Sequence, residues 1–213
     1  MSGGLDSSVL AVLCYRAFPQ SMVGVLMPCY SCQEDMDDAQ ALATKFSIPT
    51  KTVVLDSVFD ALLKALPTNE VNSNVSRLAE ANLKPRLRML TLYYFANQLK
   101  YMVAGSGNRT ERSIGYFTKY GDGGVDILPL GGLVKGQVKE LGSFLGIPQE
   151  IIAKPPSAGL WQGQTDEDEL GLSYDELDDY LITGEASIEL RERIEFMIAV
   201  SNHKRVPPPV ASF

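Results

Sequence analysis

The chain has 213 residues with a net charge of −7, 45% of them hydrophobic and 21% charged, and an isoelectric point near 4.8. This is the composition of one soluble globular domain over 1–213, and no apolar run approaches the roughly 20 residues that cross a bilayer. The acidic balance excludes broad binding to nucleic acid or an anionic membrane, because neutralising phosphates takes a basic face.

The chain opens on Ser2-Gly3-Gly4-Leu5-Asp6-Ser7-Ser8, a turn that normally joins a strand to a helix. No strand precedes it, so an N-terminally truncated chain is expected, with two inner sheet edges exposed. Val9, Leu10, Val12, Leu13 and Phe18 then predict a helix stopped near Pro19, followed by a buried strand over 22–27. The pattern repeats with a helix over 34–46, a strand over 51–55 and a helix to Leu66 that Asp56 is placed to cap. Residues 67–80 read as loop or weak helix, and a long helix begins near Pro85 and runs to about Lys100. Residues 101–104 and 125–130 read as extended, with a turn or short helix after Gly105. A helix over 135–145, an irregular proline-bearing loop over 147–163, and helices capped by Ser173 and Ser187 complete the series before a proline-rich tail. Alternating strands and helices predict an α/β fold: a doubly wound parallel sheet with flanking helices.

The opening loop carries the first chemical signal. Adjacent glycines let backbone amides wrap a phosphate, and the following helix points its positive end at the same anion. Asp6 would repel that phosphate without a cation between them, so the loop calls for Mg²⁺. A loop over 105–111 follows an expected strand, where ligands sit in open α/β sheets. There Glu111 is a candidate second metal carboxylate or a surface glutamate. Lys84, Arg86 and Arg88 crowd a helix start, where cations oppose the helix dipole and a nearby anion would relieve them. In 115–126, Lys119 can neutralise a carboxylate or phosphate and Asp126 can accept from hydroxyl or amine groups. Cys14, Cys29 and Cys32 are too few for a disulfide scaffold, and with no secretory leader visible the expected compartment is the cytoplasm.

The opening loop resembles the SGGxDS pyrophosphate loop of N-type ATP pyrophosphatases, which cleave ATP between its α and β phosphates. The stretches Asn82-Leu83-Lys84-Pro85-Arg86-Leu87-Arg88-Met89 and Gly115-Tyr116-Phe117-Thr118-Lys119-Tyr120-Gly121-Asp122-Gly123-Gly124-Val125-Asp126 resemble signatures of the ammonia-dependent NAD synthetase family. The likeness runs on through Lys154-Pro155-Pro156-Ser157 to His203-Lys204-Arg205. It implies an adenine nucleotide alpha hydrolase-like fold and a ligase that amidates deamido-NAD to NAD with ATP and ammonia. It further implies that Ser2, Gly3, Gly4, Asp6, Ser7, Ser8, Ser106, Lys135 and Ser157 contact ATP, and that Asp6 and Glu111 hold Mg²⁺. Arg86, Lys119, Asp126, His203 and Lys204 match deamido-NAD positions, and Asp6, Glu111 and Lys135 match the catalytic ones. Ser106 and Ser157 stand where threonine is frequent in relatives. A homodimer is also implied. The competing expectations are a tRNA-modifying pyrophosphatase and a catalytically impaired nucleotide-binding protein.

Overall fold

A computed structural model describes residues 1–67, 73–159, 161 and 163–211. The opening turn feeds α1 (Leu5–Ala17), β1 (Gly24–Leu26), α2 (Gln33–Phe46), β2 (Thr50–Thr52) and α3 (Asp56–Ala65). β1 and β2 pair in parallel, Gly24 opposite Thr50 and Leu26 opposite Thr52, so α2 is the crossover of the expected βαβ unit. There follow α4 (Ser73–Ala81), α5 (Leu83–Leu99), α6 (Arg109–Ile114), α7 (Lys135–Leu145), α8 (Gln149–Ile152), α9 (Asp166–Leu170), α10 (Tyr174–Thr183) and α11 (Ile188–Val200). The fold is α/β, with a parallel sheet flanked by helices.

Several elements depart from expectation. Residues 101–104 and 125–130 supply a single parallel bridge, Ala104 to Ile127, in place of two full strands. The Asp126 carboxylate takes the Val103 N–H at 2.7 Å, so a side chain occupies a position where a neighbouring strand would pair. Asp56 is the first residue of α3 and does not cap it. Its carboxylate accepts the Tyr30 N–H at 2.7 Å and ties the turn after β1 to α3. Part of the expected loop over 67–80 is α4, while 68–72 lie outside the described residues. The proline-bearing segment contains α8, with Pro148 at its N-cap position, where the missing N–H costs nothing. The short α9 went unforeseen, although Thr165 caps it by accepting the Asp168 N–H. Ser173 and Ser187 cap α10 and α11 as expected.

Three apolar clusters hold these pieces. The first joins α1 to α7 through Val9, Val12, Val138 and Leu145, and Gly142 admits Leu5, whose Cδ1 would stand 3.0 Å from an added Cβ. The second packs β1 between α3 and α5 through Val25, Met27, Phe59 and Leu87. The third joins α6, α10 and α11 through Ile114, Leu177 and Ile194. Burying each such side chain contributes on the order of 1.5–3 kcal/mol. Between them opens a cleft of about 1110 Å³ whose lining includes 22–25, running into β1, and 101–106 beside the bridge. At Val25, on this lining, the carbonyl accepts from the Met1 amino nitrogen at 2.8 Å.

Candidate active site

The phosphate-type loop lies at one end of this cleft, with Ser2, Gly4, Asp6 and Ser7 in its lining. Gly3 adopts φ +83°, and a Cβ there would overlap the Asp35 carbonyl oxygen and lie 2.9 Å from its carbon. The tight turn therefore requires glycine on both conformational and steric grounds. Gly4 is the N-cap position of α1, with no side-chain cap, so the first N–H groups of the helix stay available to an anion. The Ser2 hydroxyl donates to Ser7 Oγ at 3.0 Å, and the Ser7 and Ser8 hydroxyls donate to the Gly4 carbonyl at 3.0 and 2.9 Å. Ser8 is buried and its hydroxyl is already engaged within the helix.

Asp6, on the first turn of α1, reaches across to the Lys135 ammonium at the first position of α7. The same ammonium lies 3.1 Å from Glu111 Oε1. Asn108 links the two acids: its Nδ2 donates to Asp6 Oδ1 at 2.8 Å, and its Oδ1 accepts the Glu111 N–H at 3.0 Å as the cap of α6. Three elements thus converge on one ammonium. Their positions are fixed from behind by Asp178 on α10. It accepts from the Thr110 hydroxyl at 2.5 Å and from the N–H groups of Lys135 and Gly136 at 3.3 and 2.7 Å. Asp178 therefore caps α7 from another helix and locks α6 beside it.

More carboxylates surround the cluster than cations. The Tyr174 hydroxyl donates to Asp166 at 2.9 Å and lies 3.4 Å from Glu111, while Lys135 Nζ stands 5.0 Å from the Tyr174 ring centre. The Tyr116 hydroxyl contacts Asp166 at 3.0 Å and Glu169 at 2.5 Å. Burial, then the Asp6 charge, pushes the Glu111 carboxyl up to about 7. Burial likewise raises Asp166 and, with Glu111 and Asp166, lifts the Tyr174 phenol well above its ordinary value. For Lys135 burial opposes the charge, but Glu111 and Asp6 outweigh it and hold the ammonium above the normal lysine range. The excess of negative charge suits a cation held jointly with a phosphate. Among the described residues no group of three or more His, Cys, Asp or Glu forms a metal cage.

Ser106, Ser157 and Lys204 also line the cleft, whereas Arg86, Lys119, Asp126 and His203 are absent from its lining. Lys204 donates to the carbonyls of Gly115 and Phe117 at 2.7 and 2.9 Å. Lys119 Nζ meets the His203 carbonyl at 2.5 Å, and Arg86 donates to the Lys119 carbonyl at 3.4 Å. These four gather on the 115–124 loop. That loop leaves α6 through left-handed Gly115, where a Cβ would collide with Ser201. Asp126 stands apart, bonded to Val103 and Tyr93. Arg88 is structural: it donates to the Met27 carbonyl at 3.2 Å and to Ser31 Oγ at 3.3 Å. Lys154 is held by Glu34, Asp35 and Asp38 on α2, with the Asp35 contact at 2.9 Å, and so pins the proline-bearing loop beside the phosphate loop. Sequence reasoning missed Asn108, Thr110, Asp178, Tyr174 and Asp166 as site supports. Their sequence signals were the Asn108 to Glu111 capping spacing, the acidic run around Asp166 and, for Asp166, Tyr174 and Asp178, a place in the stretches that carry the family likeness, none of which assigns them a role in the site.

Comparison with known proteins accords with this geometry. The sequence model of the family described as NAD synthase matches residues 1–208. An NH(3)-dependent NAD(+) synthetase of Carboxydothermus hydrogenoformans is 51% identical over 210 residues, covering 99% of this chain and 86% of that protein. Its counterpart in Archaeoglobus fulgidus is 44% identical over 219 residues, covering 99% and 86%. Among solved structures, an NMN synthetase from Francisella tularensis superimposes with a TM-score of 0.91 at 39% identity, covering 100% of this chain and 87% of that one. The NH3-dependent NAD synthetase of Campylobacter jejuni gives 0.77 at 26% identity, covering 99% and 87%.

Proposed function

The chain belongs to the NAD synthase family and is an ATP-using, carbon–nitrogen-bond-forming ligase of its NH3-dependent kind; from that premise we propose that it amidates the nicotinate carboxylate of deamido-NAD through an acyl-adenylate. The observation that carries this reading is the convergence of Asp6, Glu111 and Lys135 beside the Gly3–Gly4 loop, inside one cleft. The loop N–H groups and the Ser2 and Ser7 hydroxyls bind the outer phosphates, and Lys135 draws charge from them as the bond to the α phosphorus breaks. The nicotinate oxygen attacks that phosphorus and diphosphate leaves. Ammonia then attacks the acyl carbon, a proton is lost to solvent, and AMP departs with the carboxylate oxygen. Ser106 and Ser157 hold the nucleotide from the cleft wall, Arg86, Lys119 and Lys204 neutralise the dinucleotide, and His203 offers it a hydrogen bond.

Asp6 and Glu111 fit Mg²⁺: both offer hard oxygen donors, and two carboxylates completed by substrate phosphates is the usual way a protein holds this ion. Bound there, Mg²⁺ supplies positive charge to the polyphosphate. Exposed Leu90 and Tyr94 on α5 support a homodimer, checked by mass measurement in solution.

The likeness to an NMN synthetase favours a second reading, in which the acceptor is the nicotinate mononucleotide. The test supplies ATP, Mg²⁺ and ammonia with either the dinucleotide or the mononucleotide and measures amide, AMP and diphosphate. Stoichiometric formation of all three with the dinucleotide at the higher kcat/KM supports the first reading. Preference for the mononucleotide replaces it by the second. Turnover only with tRNA, or release of ADP and phosphate, overturns both.

A further inference from the structure

A second pocket of about 290 Å³ lies on α6, apart from the cleft. Glu111 lines the cleft, while Arg109, Arg112 and Ser113 of the same short helix line this pocket with Arg205, Leu181 and Ile198. No aspartate or glutamate is in its lining, although the chain as a whole carries a net charge of −7. Among the described residues no ion pair involves Arg109, Arg112 or Arg205, so none of the three guanidiniums has a carboxylate.

Carbonyl groups aim two of them instead. Arg109 donates to the Leu181 carbonyl at 2.6 Å. Arg205 donates to the Arg112 carbonyl at 3.1 Å, to Ser201 Oγ at 2.8 Å and to the Ile198 carbonyl at 2.5 Å. Arg112 lies against Gly131, where a Cβ would stand 2.8 Å from its Nη1. The bare glycine leaves the room that this guanidinium occupies. Burial, then the Arg112 charge, holds Arg205 below its ordinary range, as expected where like charges converge without an anion between them.

We propose that this pocket binds a small phosphate-type oxyanion, with Arg109, Arg112 and Arg205 neutralising it and the Ser113 hydroxyl donating to it. Planar guanidiniums match the oxygens of such an anion. The volume falls below the roughly 300–1,000 Å³ of sites enclosing drug-sized ligands. It suits orthophosphate or diphosphate rather than a dinucleotide. The pocket stands independently of the reaction assigned to the cleft.

The test is thermal unfolding of the full chain titrated with orthophosphate at constant ionic strength. A saturating ATP analogue that cannot be cleaved between its α and β phosphates keeps the phosphate loop filled. Orthophosphate is expected to raise the melting temperature saturably, whereas acetate and chloride at matched ionic strength leave it unchanged. Arg112→Gln removes one charge-assisted contact and is expected to weaken the apparent affinity about 10- to 100-fold. Arg112→Lys is expected to retain most of it, and Lys64→Gln on the exposed face of α3 all of it. Equal affinity in wild type and Arg112→Gln, or equal shifts with chloride, overturns the proposal and leaves an adventitious ion only. A readout that needs no variant is heavy-atom density in crystals soaked with tungstate. A peak between Arg109, Arg112 and Arg205 supports the site, and peaks confined to the cleft overturn it.

Discussion

Gly3→Ala tests whether the phosphate loop is built as described. At φ +83° an alanine pays the left-handed cost of about 1–2 kcal/mol. Its Cβ also overlaps the Asp35 carbonyl, and relieving such an overlap by moving backbone costs roughly 1–3 kcal/mol. The sum predicts a loss of about 2–5 kcal/mol, or roughly 4–20 °C in melting temperature for a chain of this size. The displaced turn carries Ser2 and Asp6 with it, so ATP should bind more weakly as well. Gly4→Ala is the internal control: Gly4 has an extended φ of −86°, and the nearest atom to an added Cβ is Ser2 Oγ at 3.6 Å. Its stability should change by less than about 1 kcal/mol, while its methyl group, facing the cleft, raises KM for ATP. Denaturant unfolding and steady-state kinetics on both variants decide the matter. Gly3→Ala within about 0.5 kcal/mol of wild type, a size usual for neutral surface changes, refutes the reasoning.

The remaining predictions concern buried charge. With its carboxyl raised to about 7, Glu111 holds its proton more tightly folded than unfolded. Its contribution to stability is therefore complete below about pH 4.5 and is lost as pH rises through 7. Glu111→Gln should gain on wild type by up to about 3 kcal/mol between pH 4.5 and 8, since one pKa unit is about 1.4 kcal/mol, while amide formation is lost. Unfolding curves at both pH values test this, and a difference that does not vary with pH refutes it. Arg88→Met leaves the Met27 carbonyl and Ser31 without their donor, so a loss of about 1–3 kcal/mol should appear in denaturant unfolding.

Much of the helical plan was legible because it is written locally. Ser173 and Ser187 cap the helices they were expected to cap, and the apolar spacing in 34–46 gave α2 almost to the residue. The strands were harder. Residues 101–104 and 125–130 have strand composition, but pairing depends on what lies alongside, and there Asp126 claims the Val103 N–H. The same distinction separates the two groups of candidate residues. Those that line the cleft lie on the phosphate loop, on α6 and the segment before it, on α7, on the proline-bearing loop at Ser157 and in the turn after α11 at Lys204. Arg86, Lys119 and His203 belong to the 115–124 surface, and Asp126 turns toward the bridge.

The sequence by itself determined most of the helices, the glycine loop that phosphate chemistry needs, and the motif blocks that mark the family, since each resides in neighbouring residues. Tertiary structure decided what those blocks do to one another. Lys135 meets Asp6 across 129 positions, Asn108 meets Asp6 across 102, and Thr110 meets Asp178 across 68. No periodicity encodes such pairings, because they arise only when separate helices pack. The Glu111 carboxyl is raised for the same reason: its shift comes from burial and from Asp6, and a residue has neither until the chain has folded around it.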